Sequence, residues 1–434
     1  MLQFLVVIPA LLLAGLAVAW PRAGLVLWVL ALATGPDNWL SGITGDPETT
    51  AGLLKASGLA VLAGAALRGG LKADRWNPAF AFLFMFCTGL LHGLHPGLSL
   101  QASVRSLVGS AAPFLFGFVH QPEKFRRTAI IALIWAPVFA VGVAAVLALS
   151  GLDQFYVLEQ GALRLGGNGQ PPFLGGFALI GLYAAVLELA DQPRLGMAAM
   201  AGVNFIIILL TGARSPLAMA VMMMLALLLL QKRLMALAAA GALASLALLG
   251  SGLLGFLRAV DLTQLGEATD LSHRTLVWPF FVQAMQQSPW LGWGVGAGKV
   301  ILPITSQLSA LLGTNAAHDE YLRIGSEGGF VGLFLLILLL ALWVTRGSRP
   351  LPRGQAWLMR LTFLAFAIQS ITDNTLIAST GSAFFLWASV IFADAENRSK
   401  RAACSPAAPP WPCPSPSPPQ TPPWPKPRLP SPSS

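Results

Sequence analysis

The stretch Asn315–Gly332, NAAHDEYLRIGSEGGFVG, leads directly into a long apolar run and brings one imidazole, three carboxylates and one guanidinium to the mouth of a predicted membrane helix. If that helix begins near His318, then Asp319, Arg323 and Glu327 follow at i, i+4 and i+8 spacing, so acid, base and acid alternate along one face. His318 then lies about 100° away from this series. Ionisable groups in a membrane segment indicate a functional site. The simpler alternative is a solvated helix cap with an interfacial histidine.

Glycines in the same segment form two pairs with three residues between their members, Gly325 with Gly329 and Gly328 with Gly332. Such small-xxx-small pairs allow a neighbouring helix to approach closely inside a membrane. The stretch therefore predicts a helix that packs tightly as well as carrying charged groups.

The composition indicates a membrane protein. The chain has 434 residues, of which 55% are hydrophobic and 10% are charged, whereas a soluble domain carries about 25% charged residues. We therefore predict an all-α polytopic membrane protein with about 12–13 transmembrane helices. The first apolar run lacks the basic segment of a cleavable signal peptide and is predicted to be a retained span. The predicted spans are 2–19, 23–40, 51–67, 79–94, 103–119, 127–150, 173–189, 194–211, 214–231, 234–257, 319–345, 356–372 and 379–393.

These runs divide the chain into four parts. Residues 1–257 hold the N-terminal transmembrane helices, 258–318 form a long polar loop with short interfacial helices, and 319–396 hold the C-terminal transmembrane helices. The remaining residues, 397–434, form a tail that is rich in proline and serine. Because such a segment cannot bury a core, we expect it to be disordered or polyproline-like.

The distribution of basic residues predicts the orientation. One set of alternate loops holds 19 of the 27 lysines and arginines, so the positive-inside rule places that side and the C-terminus in the cytoplasm. The loop 258–318 and His318 then face outward. Topology explains the net charge of +9, and nucleic-acid binding is not expected. Eight basic residues remain on the outer side, where the rule does not require them: Lys55, Arg105, Arg164, Arg214, Arg258, Arg274, Lys299 and Arg323.

Arg214 lies between two predicted spans at the outer surface, in the sequence Thr211–Pro216. Ser215 followed by Pro216 is typical of an N-cap and a first-turn proline. A helix N-terminus offers free N–H groups and a positive dipole end, so an arginine beside it predicts a phosphate or diphosphate site at headgroup depth. The alternative is an arginine that extends to lipid headgroups.

The long outer loop holds Arg274 at the start of an amphipathic segment, TLVWPFFVQAMQQ, which is predicted to lie in the membrane interface. The Gly-rich sequence that follows, 288–299, does not fit a nucleotide phosphate loop, since Trp293 occupies the first required glycine position. We predict a tight turn there. Neither the cysteines nor the pair His92 and His95 has a further ligand nearby in the sequence, so no metal site is expected.

Three blocks of the sequence form one pattern: Thr211-Gly212-Ala213-Arg214-Ser215; Arg274 and Trp278 with Ser288-Pro289-Trp290-Leu291-Gly292-Trp293-Gly294; and His318, Tyr321-Leu322, Glu327-Gly328 and Gly332. Together they resemble the O-antigen ligase and O-antigen polymerase superfamily of bacterial membrane glycosyltransferases. They cover roughly 205–345 in the family's order, and upstream of them only the hydropathy is similar. Two departures from the family pattern are found: Asp319 stands where asparagine is commoner, and the arginine block has Ala213-Arg214-Ser215 where Ser-Arg-Gly is usual.

The resemblance implies a helical fold of the C-type membrane glycosyltransferase class in the bacterial inner membrane, with the active site facing the periplasm. The donor would be a glycan on a polyprenyl diphosphate, and neither a metal nor another cofactor would be used. Arg214 and Arg274 would stabilise the departing diphosphate, and His318 would act as general base, since histidine ordinarily titrates near neutral pH. Asp319 or Glu327 would orient the imidazole. Ser215, Asp319, Arg323, Glu327, Arg258 and Arg105 are the predicted substrate-binding residues.

Several functions stay open at this point. A ligase would transfer a whole chain to lipid A core or to a protein hydroxyl, and a polymerase would use the same donor with a growing glycan as acceptor. A solute or ion transporter is the alternative of another class, although transporters tend to show internal repeats and charges near the midplane. Here no clear repeat is found and the charges cluster near one surface.

Overall fold

The computed structural model describes residues 4–36, 47–159, 162–167, 170–231, 276–312 and 314–403. These residues form a helical bundle with one small hairpin, in which β1 (Tyr156–Glu159) pairs antiparallel with β2 (Ala162–Leu165). Short 3₁₀ helices cover Ala112–Phe118 and Ala297–Lys299. The α-helices are α1 (Phe4–Ala19), α2 (Pro21–Thr34), α3 (Pro47–Gly69), α4 (Ala79–His92), α5 (Leu100–Ala111), α6 (Glu123–Leu149), α7 (Pro171–Asp191), α8 (Leu195–Thr211), α9 (Arg214–Leu230), α10 (Trp278–Gln287), α11 (Gln307–Leu312), α12 (Glu320–Ser348), α13 (Arg353–Gln369) and α14 (Ser379–Ala403).

The predicted spans coincide with helices wherever the structure describes them, which confirms an all-α polytopic membrane protein. Among the described residues, α6, α7 and α12 are long and apolar enough to cross a membrane, and five shorter apolar helices accompany them. The predicted span 103–119 is a composite of α5 and the 3₁₀ turn that follows it. The predicted span 234–257 lies outside the described residues, as do residues 258–275 of the predicted polar loop and the tail from position 404.

α7 is the centre of the bundle, with most of its side chains buried on all sides, from Pro171 to Leu189. A helix that is apolar all round is the kind that neighbouring helices can enclose completely. α8, α6, α9, α13 and α14 surround it. The first two helices form a short hairpin, since α1 ends at Ala19 and α2 begins at Pro21.

One end of the bundle carries a network of ion pairs. Arg126 at the start of α6 bonds to Asp394 on α14 (2.9 Å), and Arg398 bonds to Asp191 at the end of α7 (3.2 Å). All four residues lie on the side that the basic-residue count predicts to be cytoplasmic. The N-termini of α7, α9, α12 and α14 therefore lie at the opposite end, where the predicted site residues are found.

α12 is broken near its middle by Gly329, which has φ 61° and ψ −168°. The Gly-rich loop after α10 fills this break through its backbone. Trp293 N donates to Ser326 O (3.0 Å) and Gly294 N to Glu327 O (2.9 Å), while Phe330 N beyond the break donates to Pro289 O (2.7 Å). The loop thus satisfies polar backbone groups that a broken membrane helix would otherwise leave without partners.

The predicted glycine pairs both face neighbouring segments closely, as their spacing indicated. Gly328 and Gly332 contact Met85 on α4, and a Cβ on Gly332 would lie 2.6 Å from Met85 Cγ. Gly325 contacts Met285 on α10, and Gly329 lies against the backbone of Trp290. The pair Gly328 and Gly332 therefore allows α4 to approach α12 closely. The pair Gly325 and Gly329 does the same for α10 and the loop that follows it.

We predict that Gly329→Ala destabilises the protein by several kcal/mol. A backbone with φ 61° and ψ −168° is accessible almost only to glycine and costs another residue about 1–3 kcal/mol, and the new Cβ would overlap the backbone of Trp290, which adds about 1–3 kcal/mol of overpacking. Thermal unfolding of detergent-purified protein measures the effect.

Gly202→Ala on α8 is the matched control, because nothing lies within 4 Å of its added Cβ. Equal melting temperatures for the two variants would contradict a helix break that requires glycine.

Candidate active site

His318 lies in a loop that α10 holds against the start of α12. Trp278 Nε1 donates to Ala317 O at 3.0 Å, and His318 Nε2 lies 3.2 Å from Thr314 Oγ1. Ala317 is buried in a small apolar cluster with Val277 and other residues of the loop. His318 itself is half-buried, and the contact with Thr314 holds its imidazole in this turn.

The prediction that His318 belongs to the helix, about 100° from its charged face, is wrong, although the helix does begin within two residues of it. His318 has φ 48°, a left-handed conformation that a helix cannot continue through and that few non-glycine residues adopt. α12 begins at Glu320, and Asp319 is its N-cap: Oδ1 of Asp319 accepts hydrogen bonds from Tyr321 N (2.8 Å) and Leu322 N (3.0 Å). His318 consequently projects from a turn before the helix, and its angle relative to the helix face is not the predicted one.

Asp319 occupies a mostly buried position, with 8% of its surface exposed. Burial raises the pKa of this carboxyl, and the two helix amides that it accepts from oppose that rise. As a cap at a helix N-terminus, the carboxylate is stabilised by the positive end of the helix dipole.

The predicted alternation of acid, base and acid on α12 is found, but its first acid is Glu320 and not Asp319. Arg323 Nε bonds to Glu320 Oε2 at 2.5 Å, and Arg323 Nη1 bonds to Glu327 Oε2 at 3.0 Å. These three side chains, which we call the ion triad, are 3%, 6% and 2% exposed for Glu320, Arg323 and Glu327. Arg323 and Glu327, whose i, i+4 spacing permits ion pairing, do form an ion pair.

The ion triad joins α12 to two other segments of the same end. Glu320 Oε1 accepts from Leu376 N in the α13–α14 connection (2.7 Å), and Glu327 Oε1 accepts from Gly298 N in the loop after α10 (3.4 Å). Glu320 N also donates to Ser370 O at 2.9 Å. Two carboxylates that each accept a backbone N–H thereby fix the loops on either side of the His318 turn.

Arg214 is the first residue of α9, and Ala213 is its N-cap. The prediction that Ser215 caps this helix is therefore wrong, because the helix begins one residue earlier and Pro216 lies inside its first turn. The preceding helix ends at Gly212, which adopts the left-handed conformation with φ 60°. Arg214 and Ser215 are both half-buried at this tight turn.

A second arginine contacts the same turn. Arg164 on β2 is 4% exposed, and its Nε donates to Thr211 O at 2.8 Å. The sequence identified Arg164 only as one of the outward basic residues, because no pattern along the chain indicates that a hairpin brings position 164 to position 211.

The Arg214 turn and the His318 turn are linked through the α13–α14 connection. One end of that connection bonds to Glu320, as described above. Just beyond its other end, Thr380 at the start of α14 contacts α7 at Gly176, and the neighbouring Gly175 lies against Thr211 and Ala213 of the turn. The two predicted blocks, more than 100 residues apart in the chain, therefore lie at the same end of the bundle and are connected through shared neighbours.

The remaining predicted residues differ in their placement. Arg105 is exposed on α5, whose buried face supports the Gly-rich loop through a bond from Ser103 Oγ to Val295 O (2.8 Å). Arg258 and Arg274 lie outside the described residues. In the described part of the chain, no group of three or more His, Cys, Asp or Glu side chains could hold a metal ion. His95 instead packs edge-on against Trp293, and burial lowers its pKa.

The fold and this site define a polytopic helical membrane protein with a charged, partly enclosed site at one end of its bundle. Residues 197–337 match the family model described as O-Antigen ligase. That segment includes α8, α9, α10 and the first part of α12, and hence both Arg214 and His318. The resemblance to the O-antigen ligase and polymerase superfamily is thus confirmed. No curated protein matches the chain.

We predict that Arg323→Met destabilises the protein by about 3–5 kcal/mol, because it leaves Glu320 and Glu327 buried without their cation. Thermal unfolding in detergent would measure the loss. Arg127→Met is the matched control, since Arg127 is exposed on α6 and surface substitutions change stability by about 0.5 kcal/mol or less. Equal stability of the two variants would contradict an ion triad that supports the fold.

Proposed function

We propose that the protein is a glycosyltransferase of the O-antigen ligase kind, which moves a glycan from a polyprenyl diphosphate to an acceptor hydroxyl at the periplasmic face of the inner membrane. One observation carries the proposal. Within the segment that matches the O-Antigen ligase family, an arginine turn and a histidine turn lie at the same end of the bundle, which is the end opposite the basic ion-pair network.

In the proposed reaction, an acceptor oxygen attacks the anomeric carbon of the donor sugar. The bond between that carbon and the diphosphate oxygen breaks, and polyprenyl diphosphate leaves with the bonding electron pair. His318 takes the proton from the acceptor hydroxyl, because an imidazole is a suitable base near neutral pH. Arg214 stabilises the negative charge on the leaving diphosphate, as a fixed cation placed where charge develops. Arg274 is proposed to share this task.

The other predicted residues act around this centre in the proposal. Asp319 caps α12 and so fixes the backbone that carries His318. Arg323 and Glu327 are buried in the ion triad, so we propose that they maintain the site's framework instead of touching the glycan. Ser215, Arg105 and Arg258 stay candidate contacts for the donor. The reaction needs no metal, because the arginines supply the positive charge that a metal would otherwise provide.

The acceptor is proposed to be lipid A core or a protein hydroxyl. A polymerase would use the same donor and the same groups with a glycan acceptor, so the acceptor that is consumed separates the two. A transporter would instead show gradient-driven uptake into proteoliposomes that persists without His318.

We predict that His318→Ala lowers acceptor-dependent release of polyprenyl diphosphate by about 100-fold or more, since loss of general base catalysis typically costs 10²–10⁴-fold. Purified protein would be incubated with a polyprenyl-diphosphate-linked glycan and candidate acceptors, and release would be measured by chromatography.

His120→Ala is the control for this assay, because His120 is exposed at the opposite end of the bundle. Full activity of a correctly inserted His318→Ala protein would exclude the proposed base. Absence of release by the folded wild type with every acceptor would exclude the proposed function.

A further inference from the structure

We infer that Arg164 is a positioning residue of the donor site, which acts by fixing the turn that carries Arg214. This inference rests on the proposed function. It concerns a residue that lies outside the segment matched by the O-Antigen ligase family, 197–337, and on a different element from the arginine that it would position.

The contact is specific. Arg164 is 4% exposed, and its Nε donates a hydrogen bond of 2.8 Å to the carbonyl oxygen of Thr211, 47 residues away in the chain. Thr211 is the last residue of α8, and only Gly212 and Ala213 separate it from Arg214. A displacement of the Thr211 carbonyl would therefore be passed almost directly to the start of α9.

The carbonyl that Arg164 binds belongs to a helix end. The last four carbonyls of a helix lack partners within the helix, and a cation at that end is stabilised by the helix dipole. The left-handed Gly212 then reverses the chain so that α9 begins at once. Arg164 thus holds the point at which one helix ends and the next begins.

Other contacts also hold the turn. Thr211 Oγ1 donates to Ile208 O at 2.7 Å and accepts from Ala213 N at 3.4 Å. Gly175 on α7 lies so close that an added Cβ would be 3.0 Å from Thr211 Oγ1. The turn is therefore held by its own hydrogen bonds, by packing against α7 and by the guanidinium of Arg164.

The strand that carries Arg164 is itself anchored. Leu165, the next residue, is 1% exposed and belongs to the main hydrophobic core. Arg164 is also paired in register with Val157 of β1. Gly167 turns the chain in a left-handed conformation (φ 59°) against Leu174 of α7. Both the segment that carries Arg164, at Gly167, and the Arg214 turn contact α7. Because the strand is fixed in this way, Arg164 can hold the turn in a defined position relative to α7.

The test is a double-mutant cycle with Arg164→Ala and Arg214→Ala, read as kcat/KM for the lipid-linked donor. Alone, Arg164→Ala should lower this value by roughly 10–100-fold, since a misplacement of about 1 Å can cost 10²-fold. In the Arg214→Ala background, Arg164→Ala should lower kcat/KM by no more than about twofold, because a residue that acts through Arg214 has nothing left to position. Arg164→Lys should recover part of the activity, since it keeps a cationic donor.

Arg126→Ala is the matched control, because Arg126 is also 4% exposed and bonds to a backbone carbonyl, that of Gln121, but at the opposite end. Its effect should multiply with that of Arg214→Ala. If Arg164→Ala does not fold, the same cycle is run with Arg164→Lys. An Arg164 effect that multiplies in full with Arg214→Ala would overturn the inference while leaving the function intact. A wild type without acceptor-dependent release would instead overturn the function.

Discussion

The buried ion triad of Glu320, Arg323 and Glu327 is the interaction on which the architecture of the site depends. Removing three charges from water costs several kcal/mol per ion, and the arrangement offsets this cost through short contacts among the three side chains and backbone N–H donors from Leu376 and Gly298. The same bonds connect the start of α12 to the loops on both sides. The triad thus links the start of α12 to the α13–α14 connection and to the loop after α10.

The glycine break in α12 and the His318 turn complement the triad. At Gly329 the helix accepts the loop after α10 as a backbone partner, and before Glu320 the left-handed His318 and the cap at Asp319 set the direction of entry. The α13–α14 connection extends this framework to α7 and to the Arg214 turn. The turns that carry the proposed base, His318, and the proposed cation, Arg214, are thereby attached to the helices around them, as the proposed glycan transfer requires.

The sequence allowed the spans, the Arg214 and His318 blocks and the close approach at the glycines to be predicted, because hydropathy, charge and small residues act locally. It did not predict that Asp319 ends the turn as a cap, since an aspartate before an apolar run fits both a cap and a first-turn residue. The pairing of Arg323 with Glu320 was missed because i, i+3 and i, i+4 partners compete at a helix start. Arg164 was missed as a partner of the Arg214 turn because a hairpin brings it there.

The central claim is that the Arg214 turn and the His318 turn line one donor site. Photo-crosslinking tests it most directly, with a polyprenyl diphosphate that carries a photoreactive group on its first sugar, followed by mapping of the labelled peptides. Labelling of both 195–216 and 314–323, abolished by excess unlabelled donor, is the result that a shared site predicts. Competable labelling confined to one of the two segments, or to helices at the other end of the bundle, would contradict it.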